Sequence, residues 1–186
     1  MLAAARRGLE WLLEWVTIIL MILLSVVVIV AVLYRLAGNS FSWYDEVAAI
    51  QLAWITYYGA ALAALKRRHI GFDSVLLSLP IGIRKVAVVV AEVIVIGFFA
   101  LMAWAGMQVL AVLEGDRLVS LTWVPVQFTQ SVIPIGAALF ILCEILSFPE
   151  YWRMTIAGAS LEHAEIEEEV EQEMKNAQSM DRQGER

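Results

Sequence analysis

Cysteine occurs once, histidine twice and proline four times among 186 residues. Each scarcity removes a class of explanation. Cys143 alone cannot close a disulfide within the chain, and a thiolate metal site needs several ligands together. It stands inside an apolar run, where a small buried hydrophobe is the ordinary role. His69 and His163 fall in a basic loop and an acidic tail, too differently placed to read as a metal pair. Also missing are a glycine-rich phosphate loop and any nucleophile–base arrangement. An enzyme is therefore not expected, nor is a cofactor. No basic patch large enough for nucleic acid occurs either.

What the chain has is apolar length. It is 61% hydrophobic, against about 45–50% for a soluble domain, and the excess lies in blocks long enough to cross a bilayer. The expectation is an all-α integral membrane protein with four transmembrane helices, at about 15–36, 44–65, 86–113 and 126–148. The first run is too long for the core of a signal peptide and ends in Tyr34-Arg35, so it reads as an uncleaved span. Trp11, Trp15, Trp43, Trp123 and Trp152 fit interfacial belts, whereas Trp54 and Trp104 fall mid-span and suit helix contacts. Residues 70–80 are too short to span and mix Leu76, Leu77 and Leu79 with polar residues. They read as a short amphipathic helix at the interface. Pro134 interrupts the fourth run, where it removes a backbone hydrogen bond and predicts a kink. Residues 1–153 then form one membrane domain, and 154–186 a cytoplasmic tail.

Charge sharpens this layout. The net charge of −6 belongs to the tail: residues 160–186 hold nine acids and three bases, and the remainder is balanced. Arg6, Arg7, Lys66, Arg67, Arg68, Arg84, Lys85 and Arg153 fall on one side of the four spans, Arg35 and Arg117 on the other. The positive-inside rule then puts both termini in the cytoplasm. Lys66, Arg67, Arg68 and His69 form a basic cluster that reads as a cytoplasmic anchor able to hold anionic lipid headgroups.

The second span opens on Ser42-Trp43-Tyr44-Asp45-Glu46. Acids here invite an ion-site reading. Ser42-x-x-Asp45 also matches a capping box, with Arg35 or Arg117 as a base for the carboxylates to meet, and the ordinary reading is preferred. Glu92 and Glu144 lie inside the third and fourth spans near the basic side. They are read as intramembrane ion pairs, with Lys85 or Arg68 as counter-charge, or as contacts to a partner subunit, in preference to a proton relay. Ala49, Ala53, Ala60 and Ala64 let another helix approach the second span closely.

Several features together resemble one family: Trp43-x-Asp45-Glu46, Leu52-x-Trp54, Gly59, His69-Ile70-x-x-Asp73 with Leu79-Pro80, and Pro134-Ile135-Gly136. Over about residues 10–150 the chain resembles the small membrane subunit, DctQ-like, of the tripartite ATP-independent periplasmic (TRAP) transporters. The resemblance implies a bacterial inner-membrane scaffold subunit of a sodium-coupled importer of carboxylates. Its partners would be a large membrane subunit, which carries substrate and sodium, and a periplasmic substrate-binding protein. Trp43, Asp45, Glu46, Trp54 and Gly59 would then shape the partner interface. Two other readings are the small four-span subunit of a tripartite tricarboxylate transporter and a tetraspan adaptor whose acidic tail recruits a cytoplasmic partner.

Overall fold

A computed structural model describes residues 2–67 and 78–158 and the single positions 76, 170 and 174. The structure is all-α, with five helices among the described residues: α1 (Leu2–Leu36), α2 (Tyr44–Lys66), α3 (Ile81–Val112), α4 (Val126–Gln130) and α5 (Val132–Ala157). Helices α1, α2 and α3, and the continuous stretch of α4 and α5 from Val126 to Ala157, are each long and apolar enough to span a membrane. The expected interfacial helix at 70–80 lies mostly outside the described residues, although Leu76 and Ser78 are helical. So does the acidic tail beyond Gly158, apart from helical positions at Val170 and Met174.

The spans assemble as a row. Helix α1 packs on α2, α2 on α5, and α5 on α3, while α1 and α5 barely meet. Helix α5 is the hub: its apolar window is 44% buried, against 6% for α1 and 11% for each of α2 and α3. Leu13, Ala61, Ala64, Leu65, Phe140 and Cys143 form the core where α1, α2 and α5 meet. Phe99 of α3 stacks on Phe140 with ring centroids 3.7 Å apart and planes 9° from parallel.

Small residues set the spacing on α5. A Cβ at Gly136 would lie 2.7 Å from the Tyr57 Cβ, so only glycine lets α2 come this close. At Gly106 of α3 a Cβ would meet Ile133 and Pro134 at 3.0 Å. Pro134 accounts for the break in the fourth span, but the break lies earlier, at Ser131 between α4 and α5. Proline offers no amide to the Gln130 carbonyl and its ring crowds that position. Polar groups nearby hold the interrupted backbone. Thr129 and Ser131 donate their hydroxyls to the Val126 and Phe128 carbonyls at 2.8 and 2.7 Å. The Trp54 indole N–H donates to the Thr129 carbonyl at 3.0 Å. A break at membrane depth is stable only when its carbonyls are met in this way.

Helix α5 also outlasts the sequence expectation, which ended the span at 148. It runs through Pro149 to Ala157 and closes on Gly158 at φ 85°, whose amide bonds the Thr155 carbonyl. The Arg84 guanidinium takes the same carbonyl at 3.1 Å, so the extra turns are tied to the start of α3.

Substituting Gly136 by Ala should force α2 from α5 and cost about 1–3 kcal/mol. Gly97→Ala, at a site where a Cβ meets nothing within 4 Å, should leave stability unchanged. Thermal unfolding of both variants in the same detergent checks the contrast.

Candidate functional site

The polar groups of the membrane domain gather at its two ends. At one end α2 finishes with Lys66, then Arg67 in the left-handed conformation (φ 53°, ψ 30°), the only non-glycine residue so placed among those described. This position normally goes to glycine, because a Cβ there costs about 1–2 kcal/mol. The backbone turn is matched by what the side chain reaches. The Arg67 Nη1 lies 2.5 Å from a Glu92 oxygen and 3.0 Å from a Glu144 oxygen. Its Nε donates to the Ser147 hydroxyl at 2.8 Å and its Nη2 to the Glu144 carbonyl at 3.1 Å. The Tyr151 ring lies beneath the guanidinium, 4.5 Å away. Ser147 in turn donates toward the Ala64 carbonyl at 3.2 Å, returning the network to α2.

One cation thus joins the end of α2 to the interiors of α3 and α5. All three charged side chains are about nine-tenths buried, at 10% exposure for Arg67 and 9% and 8% for the two glutamates. Glu92 lies about 16 Å along α3 from its start at 1.5 Å per residue, and the guanidinium turns inward to meet it. The remaining oxygens, Glu92 Oε2 and Glu144 Oε2, are buried without a hydrogen-bond partner.

Around this cluster two further bases are paired. Lys66 sits 3.2 Å from Glu10 and 2.5 Å from Glu14 of α1, and Arg6 pairs with Glu150 of α5. The anchor reading of the basic cluster needs correction here: Lys66 and Arg67 turn toward acids of the same chain. Low dielectric makes a buried carboxylate a better partner for a guanidinium than screened headgroup water. Arg68 and His69 lie outside the described residues. The counter-charge expected for Glu92 and Glu144 also changes, from Lys85 or Arg68 to Arg67.

At the opposite end Glu46 clips the connection between α3 and α4 to the start of α2. Its carboxylate accepts the Val119 amide at 3.0 Å and the Ser120 amide at 2.9 Å. Ser120 Oγ donates to the Ser42 carbonyl at 2.9 Å. The expected capping box does not form: Trp43 is the N-cap and no side chain caps the helix. Nor does Glu46 meet Arg117, which donates to the Trp123 carbonyl at 3.2 Å. The turn at 118–120 presents two unpaired amides, and one carboxylate satisfies both.

The remaining doorway residues separate. Trp43 packs on Phe41, which packs on Tyr34, and Trp54 is engaged with Thr129 and Phe128 inside the chain. Asp45 is exposed, and a Cβ on Gly59 would meet nothing within 4 Å. Asp45, Ala49, Leu52 and Thr56 are all exposed and Gly59 half-buried. Their spacing puts them on one side of α2.

Residues 24–154 match the family model described as tripartite ATP-independent periplasmic transporters, DctQ component. The chain belongs to the DctQ family. No match was found among curated proteins. The matched stretch of this DctQ protein contains the whole Arg67 cluster and the Glu46 clip, but not Arg6, Glu10 and Glu14 of α1. DctQ is a transporter component and not an enzyme family, which agrees with a polar inventory suited to joining helices.

Sequence reasoning missed Arg67 as the hub, because three consecutive bases at a helix end look alike. A signal was present on the other side: Glu144, Ser147 and Tyr151 follow at i, i+3 and i+7, one face of α5.

Arg67→Met should strand two buried carboxylates and cost about 3–5 kcal/mol. Adding Glu92→Gln and Glu144→Gln to it should recover most of that loss, measured as detergent unfolding midpoints. At the other end, Glu46→Ala should speed hydrogen exchange at the Val119 and Ser120 amides several-fold while leaving α5 protected.

Proposed function

We propose that this chain is the static scaffold subunit of a sodium-coupled TRAP importer, holding a large membrane subunit that carries substrate and ion. A periplasmic binding protein delivers the substrate to that complex, and a small organic acid is the cargo class. The chain itself binds none of it.

One observation carries the scaffold reading: the ridge of α2 formed by Asp45, Ala49, Leu52, Thr56 and Gly59 faces away from the packed neighbours. Small residues along such a ridge let a foreign helix approach closely in lipid. Trp43, Glu46 and Trp54 support the ridge from behind through Phe41, the 118–120 turn and Thr129. The charged groups inside the membrane domain support the same reading, since Arg67 ties Glu92 of α3 and Glu144 of α5 to the end of α2. The basic end, with Arg6, Arg7, Lys66, Arg67, Arg84, Lys85 and Arg153, faces the cytoplasm of the inner membrane under the positive-inside rule. Glu46 and the 118–120 turn then face the periplasm, where a binding protein docks.

Deleting this chain while keeping the large subunit and the binding protein should abolish uptake of a radiolabelled organic acid. Ala49→Trp with Gly59→Trp should reduce recovery of the large subunit in mild-detergent co-purification, with the unfolding midpoint of this chain unchanged. Full uptake in the deletion strain would end the scaffold reading. Purification without any large membrane partner would favour an adaptor instead.

A further inference from the structure

Arg67 brings one positive charge to its cluster, while Glu92 and Glu144 bring two carboxyl groups. Both acids meet the same guanidinium nitrogen, at 2.5 and 3.0 Å, so their Oε1 atoms crowd around one point. The two carboxyls also lie within hydrogen-bond reach of each other. Their other oxygens, Glu92 Oε2 and Glu144 Oε2, are buried without a hydrogen-bond partner. An ionised carboxylate only accepts hydrogen bonds, so two such oxygens cannot satisfy one another.

The neighbouring bases do not supply a second positive charge. Lys66 faces two acids of α1, Glu10 and Glu14, and Arg6 is paired with Glu150. Arg84 donates to the Thr155 and Leu79 carbonyls, and Lys85 is exposed. Arg7 and Arg153 line a cleft between α1 and α5 whose lining does not include Glu92 or Glu144. The other titratable groups beside the pair, among the described residues, are Tyr151 and Cys143. The Tyr151 ring lies under the guanidinium, and Cys143 belongs to the core shared with α1 and α2. Neither brings a cation. Full ionisation would therefore leave an uncompensated negative charge on side chains about nine-tenths buried. Desolvation and the repulsion of like charges both act against that state. A metal ion fits less well than a proton. Among the described residues no third acid, thiol or imidazole joins the pair, and the guanidinium already takes one oxygen of each.

We propose that Glu92 and Glu144 bind one proton between them, carried on the Oε2 of one carboxyl and donated to the Oε2 of the other. The proton comes from water as the pair is buried. It satisfies both orphan oxygens at once and brings the cluster to zero net charge. It also joins α3 directly to α5, beside the link that Arg67 makes through α2. This site goes beyond the scaffold reading and does not rest on it.

Infrared spectroscopy of the full-length chain, purified in mild detergent with its membrane partner, reads the proton directly. At neutral pH the wild type should show a carboxylic acid C=O stretch that shifts in deuterium oxide. Difference spectra against Glu92→Gln and against Glu144→Gln should each show the loss of that band. In either variant the amide N–H replaces the O–H, and the remaining carboxyl meets Arg67 as a carboxylate. Both single variants should keep the wild-type unfolding midpoint. Glu92→Gln with Glu144→Gln leaves Arg67 without an anion and should lower it. Glu92→Asp and Glu144→Asp keep two carboxyls and should move the band without removing it, so the assignment does not depend on the glutamine variants folding. A wild type without the band would overturn the proposal, as would a band that all four single variants leave in place. A band seen in choline chloride but not in sodium chloride at the same pH would overturn it in favour of a cation on the same oxygens.

Discussion

A guanidinium placed among helices in lipid is stable only if its charge is met, and the architecture follows from meeting the charge of Arg67. The left-handed turn that ends α2 directs the side chain inward. Glu92 and Glu144 approach from α3 and α5, and Ser147 returns a hydroxyl to α2. Three spans are thereby fixed in depth relative to one another by a single side chain. Apolar packing alone would specify depth weakly, because a helix sliding along its axis in lipid exchanges one aliphatic contact for another. An ion cluster cannot slide without leaving a charge exposed to hydrocarbon.

The rest of the membrane domain elaborates that registration. Gly136 lets α2 and α5 approach closely enough for the cluster to close, and the Phe99–Phe140 stack holds α3 against α5. Glu46 performs the complementary task at the far end, where backbone amides replace the guanidinium. Helix α1 joins through Lys66, next to Arg67, so one helix terminus organises both neighbours of α2.

The four spans were legible because apolar length and flanking bases suffice to find them. The family was legible from short motifs at the start of α2 and in the fourth span. Side-chain partners were less so. Lys66 and Arg67 carry the composition of a headgroup anchor, and only the packed arrangement of α1, α3 and α5 shows that both turn inward. Ser42-x-x-Asp45 looked like a capping box because the pattern is local, yet the decisive donors come from residues 119 and 120, more than seventy positions away. Pro134 was recognised as a helix breaker, but the disruption falls at Ser131, beside the carbonyl that proline leaves unbonded. In each case a local pattern suggested the wrong partner or position, because the decisive contact was not encoded nearby.

The row α1, α2, α5, α3 has a consequence for any solute. A partition one helix deep, about 10–12 Å through, has two broad walls and, among the described residues, encloses no lumen. Cargo crossing the membrane would pass alongside this chain, in space bounded on its other sides by a neighbour. Under the proposed scaffold role, its effect on transport is that of a fixed wall, set by the distance and angle at which it stands.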